Sequence, residues 1–203
     1  MNSSDIDDDP HLWLEEIDSP QVREWIAARN AETVGALCDG RFEADREAAL
    51  AILDADDRIP GIGRLGAYVY NFWKDGAHPK GLWRRTTLDD YRQPDPAWDV
   101  LLDVDALARE EGEDWVWAGC TTLPPDYRRG LVQLSRGGSD ATAIREFDLD
   151  AKRFVADGFS LPESKAWASW IDEDRVLVGS PLGGDDFATE SGYARTLRLW
   201  RRG

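Results

Sequence analysis

The chain has 203 residues, 42% of them hydrophobic and ten of them Trp, so it can build a core and is not a disordered tail. Its formal net charge of −16 repels the phosphates of nucleic acid and excludes that partner class. Two cysteines, Cys38 and Cys120, are too few for a disulfide framework or a thiolate metal site.

The opening "MNSSDIDDDPHLW" lacks the basic-then-apolar pattern of a secretory signal. No apolar run approaches the ~20 residues of a membrane helix. The chain therefore reads as cytoplasmic, with neither membrane nor nucleic acid among its partners. At this length it is one large domain or two small ones.

Up to about Asp57 the pattern is helical. Ser19-Pro20 is a helix start, with Ser at the N-cap and Pro where a missing N–H costs nothing. Val22, Trp25, Ile26, Thr33 and Leu37 follow helical spacing, and Gly40 supplies a stop. Phe42, Arg46, Ala49, Leu50 and Leu53 mark a second helix. The spacing predicts helices over about 20–38 and 42–54, each with one face that needs a surface to lie on.

From Ala67 the period changes to two. "AYVYNFWK", "GLWRRTTL", "WDVLLDVD", "DWVWAGCTTL", "AWASWI", "RVLVGS" and "ARTLRLWRR" read as strands separated by Gly, Asp and Pro clusters. No convincing helical stripe intervenes, so this part is expected to be all-β and antiparallel. The expected division is 1–66, a helical arm with a loop leading into the sheet, and 67–203.

Within the second part, "RRGLVQLSRGGSDATAIREFDLDAKRFV" reads as strand, turn, strand, turn, strand. It belongs to a weak repeat whose units start near Tyr68, Leu131 and Arg175, the last two 44 residues apart. That period, with several short strands per unit, is what a β-propeller blade looks like. The fold class is thus mainly β with N-terminal helices: a two-helix arm, then a partial propeller of two to three antiparallel blades. Too few blades are present to close a ring, so the chain reads as the first portion of a longer protein.

No motif supplies a catalytic constellation. "GIGRLG", Gly61 to Gly66, fits a dinucleotide fingerprint by letter, but that fingerprint needs a strand before it and a helix after it. Here the order is reversed. "GGSDA" has Ala141 where a nucleophile elbow has Gly, and lies in a hairpin, which makes Ser139 a turn residue. His11 and His78 have no nucleophile beside them. The acidic runs "DIDDD" and "GGDD" lack calcium-loop spacing. Trp115, Trp117, Trp167 and Trp170 read first as packing residues. The sequence offers no catalytic, cofactor-binding or metal-ligating residue.

"DPHLWLEEIDSPQVREWIAARNAET" resembles the opening of the prolyl oligopeptidase family of serine peptidases, through Asp9-Pro10, Trp13-Leu14-Glu15, Ser19-Pro20, Trp25 and Asn30. "LWRRTTLDDYRQPDPAWDVLLDVDALA" is similar to the family's first-blade region, and "DYRRGLVQLSRGGSDATAIREFDL" to its second. The resemblance is collinear over nearly the whole chain. It implies a short helical segment, a seven-bladed propeller and an α/β-hydrolase domain, with the Ser, Asp and His triad in a C-terminal part that this chain lacks. The implied partners are that hydrolase domain, the remaining blades and, for the parent, short peptides admitted by the propeller cap. The alternatives are an autonomous β-rich module that binds a partner without catalysis, and a nucleotide-binding enzyme using "GIGRLG".

Overall fold

The computed structural model describes residues 9–16 and 18–203, which fall into two compact units, one ending at Leu53 and one running from Asp54 to Gly203. In the first unit a short 3-10 turn, Leu12–Glu15, precedes helices α1 (Pro20–Leu37) and α2 (Gly40–Leu53). Ser19 stands at the N-cap of α1 without a side-chain capping bond, and Pro20 opens the helix. Trp13 meets Trp25 edge-on at 6.1 Å, and of the α1 side chains only Val22 is buried.

Gly40 does not merely stop α1. It is the first residue of α2, whose orphan N–H groups at Arg41 and Phe42 both donate to Asp39 Oδ1 at 3.0 Å. Apart from the buried Val22, the apolar residues that the spacing picks out stay exposed: Trp25, Ile26 and Leu37 on α1, and Phe42, Leu50 and Leu53 on α2.

In the second unit the described residues form three antiparallel sheets. The first runs β1 (Gly63–Leu65), β2 (Tyr68–Trp73), β3 (Leu82–Thr87) and β4 (Asp99–Asp103) in spatial order, with a one-turn helix, α3 (Leu88–Tyr91), behind β3. The second holds β5 (Trp115–Thr122), β6 (Arg129–Arg136) and β7 (Thr142–Asp148), with β8 (Arg153–Phe154) and β9 (Ser160–Ser164) both pairing with β7. The third is β10 (Trp167–Asp172), β11 (Arg175–Gly179) and β12 (Leu197–Arg201). Tyr68, Leu131 and Arg175 lie in β2, β6 and β11, the second strand of each sheet, so the sequence repeat marks equivalent positions in three successive blades.

Two local expectations need correction. The all-β reading of 67–203 misses α4 (Val104–Glu111), which follows β4 without a break. Asp103 ends the strand because its carboxylate accepts from Ala106 N at 2.8 Å, capping a helix that Gly112 then stops in the left-handed region (φ 67°). "GIGRLG" is more than a lead-in loop, because Gly63–Leu65 forms β1 and Gly66 (φ 60°) turns the chain into β2. A hairpin follows this motif where a dinucleotide site needs a helix.

The three sheets stack face to face. Along β6, Val132 and Leu134 point to the first sheet while Leu131 points to the third; along β7, Ala143 and Phe147 face the first sheet and Ile144 the third. This period-two alternation buries the middle sheet on both sides. The first core joins Val132, Leu134, Ala143 and Phe147 to Tyr70, Trp83, Leu101 and Leu102, and the second joins Leu131 and Ile144 to Ala168, Val176 and Val178.

Candidate functional site

What this chain builds most completely is a pair of seams between blades. At the first seam four aromatic rings from separate strands interlock. Phe72 of β2 stacks on Trp117 of β5 at 5.1 Å, and Trp83 of β3 lies 5.2 Å from Trp117 and 5.8 Å from Phe147 of β7. Such pairs add to the stabilisation from apolar burial because ring edge and ring face carry opposite partial charge. Beside them Arg85, nearly buried, lies over the Tyr68 ring at 4.5 Å and reaches Asp99 Oδ2 at 3.3 Å and Asp150 Oδ1 at 3.4 Å, so one guanidinium spans both blades. Burial opposes ionisation of Asp99, but Lys152 and Arg85 outweigh it and hold the carboxyl below its usual range.

At the second seam Phe159 sits edge-on to Trp170 (5.7 Å) and Trp200 (5.0 Å). Trp170 Nε1 donates to the Thr121 carbonyl at 2.8 Å, tying β10 to β5. Ion pairs bridge the loops along one rim. Lys80 pairs with Asp114, Arg136 with Glu113 and Glu163, and Lys165 with Asp140. The hydrogen bonds and charge of Arg136 hold Glu113 and Glu163 below the usual carboxylate range.

Ser139 and the two histidines, the residues with nucleophile or base chemistry, are not brought together. Ser139 is exposed in the β6–β7 turn, where Gly137 (φ 61°) and Gly138 (φ 80°) reverse the chain, and its hydroxyl meets the Ala141 carbonyl (3.2 Å) and Glu163 (3.3 Å). His78 pairs through Nδ1 with Asp75 Oδ1 at 3.0 Å in the β2–β3 loop, and Asp75 also takes the backbone N–H groups of Ala77 and His78. This is a turn lock with no nucleophile bonded to it. His11 lies beside the Trp25 ring (6.3 Å). Ser180 is fully buried and accepts from Leu182 N, which is a turn contact.

Cys38 and Cys120 are free, and burial pushes the Cys120 thiol well above its usual pKa, which suppresses the reactive thiolate. Among the described residues no group of three or more His, Cys, Asp or Glu could hold a metal ion. "DIDDD" lies outside the described residues except for Asp9, whose carboxylate accepts from His11 N; "GGDD" runs from the left-handed Gly183 and Gly184 into a 3-10 turn, Asp185–Phe187.

Trp115 and Trp117 are both seam residues on the first core, as their alternate spacing implies. Trp170 packs in the second core, whereas Trp167 is exposed and lies over Gly179. The bridging role of Arg85 had no local signal, since its partners stand 14 and 65 residues away.

The profile of the prolyl oligopeptidase N-terminal beta-propeller domain matches residues 1–202. An uncharacterized peptidase of Sinorhizobium fredii, y4nA, is 43% identical over 198 residues, spanning 96% of this chain and 27% of the relative. An uncharacterized peptidase of Rickettsia prowazekii, RP174, is 33% identical, spanning 94% of this chain and 28% of the relative. Among solved structures, a post-proline cleaving enzyme from Rickettsia typhi matches with a TM-score of 0.83 and 33% identity, over 94% of this chain and 29% of that one. Oligopeptidase B from Leishmania major matches with a TM-score of 0.59 and 19% identity, over 96% of this chain and 26% of that one, which speaks to fold alone. The chain therefore spans under a third of the length of the relatives it matches.

Proposed function

The chain belongs to the prolyl oligopeptidase family, in its N-terminal propeller domain, and from that premise we propose that it forms the first blades of a cap restricting access of short peptides to a serine-type hydrolase domain of a longer parent protein. In this reading the part ending at Leu53 is the helical arm, Asp54–Gly203 carries the first blades including β1, and the parent is a cytoplasmic peptidase. The partners are the hydrolase domain and the remaining blades.

The observation that supports it is the construction of the seams. Successive sheets are joined by interlocked aromatic side chains and a shared guanidinium, with their first strands tied by Trp170 to Thr121. A wall assembled from stiff, face-packed blades can exclude a bulky chain while a short one passes. The chemistry itself needs a nucleophile activated by a base and donors at the oxyanion, and the serines and histidines described above provide no such pair.

The test uses the parent protein with Trp117→Ala, which removes the ring shared by Phe72 and Trp83. Cleavage of a short proline-containing peptide should change less than about 3-fold, while cleavage of a 40-residue substrate should rise at least about 10-fold, a difference of about 1.4 kcal/mol in barrier. An unchanged size limit in a variant whose seam is demonstrably loosened by hydrogen exchange would argue against the gating role.

A further inference from the structure

Arg84 of β3 lies on the face of the first sheet away from the second. Its guanidinium is stacked between two indoles, 4.6 Å from the Trp73 centroid and 4.4 Å from that of Trp98. Its Nε donates to Asn71 Oδ1 at 2.9 Å. Both faces and one edge of the planar cation are thus occupied, while its two terminal nitrogens meet no acceptor among the described residues. Arg58, the neighbouring cation on Trp73, is by contrast used up: Nε holds the Ala55 carbonyl at 2.8 Å and Nη2 the Lys74 carbonyl.

Arg84 is half-buried, so its open end keeps solvent access and can exchange that water for an acceptor. Burial lowers the Arg84 pKa, and the distant Asp75 restores only part of it. The open end of a guanidinium is a fork that matches a carboxylate. Arg84 lines a cleft of about 620 Å³, within the range of small-ligand sites. The same cleft carries the exposed carboxylates Asp56, Asp57 and Asp95. With a net charge of −16 on the chain, a simple anion is disfavoured there. A ligand with one carboxylate for the fork and one ammonium for the aspartates satisfies both halves.

We infer that this cleft binds a short zwitterionic peptide, its C-terminal carboxylate on Arg84 between Trp73 and Trp98 and its ammonium among Asp56, Asp57 and Asp95. The inference stands on the cleft and not on the peptidase reading.

Isothermal titration of the 203-residue chain with Ala-Ala, Ala-Ala-amide and N-acetyl-Ala-Ala tests it without any mutation. Ala-Ala should bind, and each capped peptide should bind at least about 10-fold more weakly. Arg84→Gln should abolish the preference for the free carboxylate, and Asp57→Asn should weaken Ala-Ala while sparing the acetylated peptide. Equal affinity for acid and amide, or no heat from Ala-Ala at 10 mM, roughly the weak end of specific recognition, would overturn the proposal.

Discussion

Arg202, next to last in the chain, grips Glu146 of β7 with two parallel hydrogen bonds, Nη1 to Oε2 and Nη2 to Oε1, each 3.0 Å. The Glu146 side chain is 1% exposed, and among the described residues it otherwise accepts from Phe159 N at 2.9 Å, with Arg129 at 4.0 Å. The pair fastens the end of the third blade to the interior of the second. Removing Arg202 leaves a buried carboxylate short of its counter-ion.

Arg202→Ala should therefore cost about 3 kcal/mol, the low end for a broken buried pair because Arg202 itself is partly exposed. Glu146→Gln added to it should recover part of that loss. Urea unfolding of the four cycle members measures the coupling, and additive single effects would show that the pair is not coupled.

Gly130 of β6 has no room for a methyl group. A Cβ there would lie 2.5 Å from Cys120 Sγ and 3.4 Å from Leu149. Gly130→Ala should destabilise by about 1–3 kcal/mol through overpacking. Cys120→Ala removes the obstructing sulfur, so the double variant should be more stable than Gly130→Ala alone. Denaturant midpoints at constant slope decide this, and a double variant worse than either single one would count against the steric account.

The third sheet leaves apolar side chains in water: Trp167 (49%), Leu197 (54%) and Leu199 (47%). β12 pairs with β11 on one side and with no further strand among the described residues. An unpaired edge beside an apolar face invites association with another chain, which nearby Arg198 and Arg201 only moderate. The 203-residue chain should self-associate and bind an apolar dye. Leu197→Lys with Leu199→Lys should reduce both in size-exclusion and dye measurements. A sharp monomer without dye binding would instead mark an autonomous module.

Catalysis should be absent from this chain alone. Ser139 serves a turn and Ser180 is sealed in one, and His78 is committed to Asp75. A serine-directed phosphonofluoridate should leave no stoichiometric label, and a proline-containing chromogenic peptide should not be hydrolysed above the uncatalysed rate. Labelling lost on Ser139→Ala or Ser180→Ala would reveal an active site in the propeller portion.

Much of this architecture was legible because blades repeat short-range signals. The period-two alternation that marks "LVQLS" and "AIREF" as strands is the same alternation that sorts Leu131 and Ile144 to one seam and Val132, Leu134 and Phe147 to the other. The helix α4 was hidden by continuity. Val100, Leu102 and Val104 extend an alternating pattern into what is already the first turn, so "WDVLLDVD" reads as one strand straight through the cap at Asp103. The three residues of β1 carry too little pattern to register. The cleft at Arg84 left no trace, since Trp73, Arg84 and Trp98 meet only when β2, β3 and the loop before β4 are folded together.

The rim ion pairs set how the blades respond to acid. Glu113 and Glu163 are held below their ordinary 4.5 by Arg136, and Asp140 below its ordinary 3.8 by Lys165. A carboxyl whose folded pKa is depressed binds its proton more weakly folded than unfolded. Its stabilising contribution is complete above the unfolded value and is lost as pH falls through the folded one. For these pairs that window opens near pH 4.5 and extends below 3.8. Asp140 is exposed and Glu113 and Glu163 keep partial access to water, so the effect is modest and screened by salt. The melting temperature should be flat from pH 7 to 5, then fall below pH 4.5, more steeply at low ionic strength. Arg136→Gln should lower stability slightly at pH 7 and flatten the acid limb, because Glu113 and Glu163 then titrate near their ordinary values in both states. An acid limb as steep in Arg136→Gln as in the unaltered chain would place the acid-sensitive groups elsewhere, with Asp99 at the first seam the next to examine.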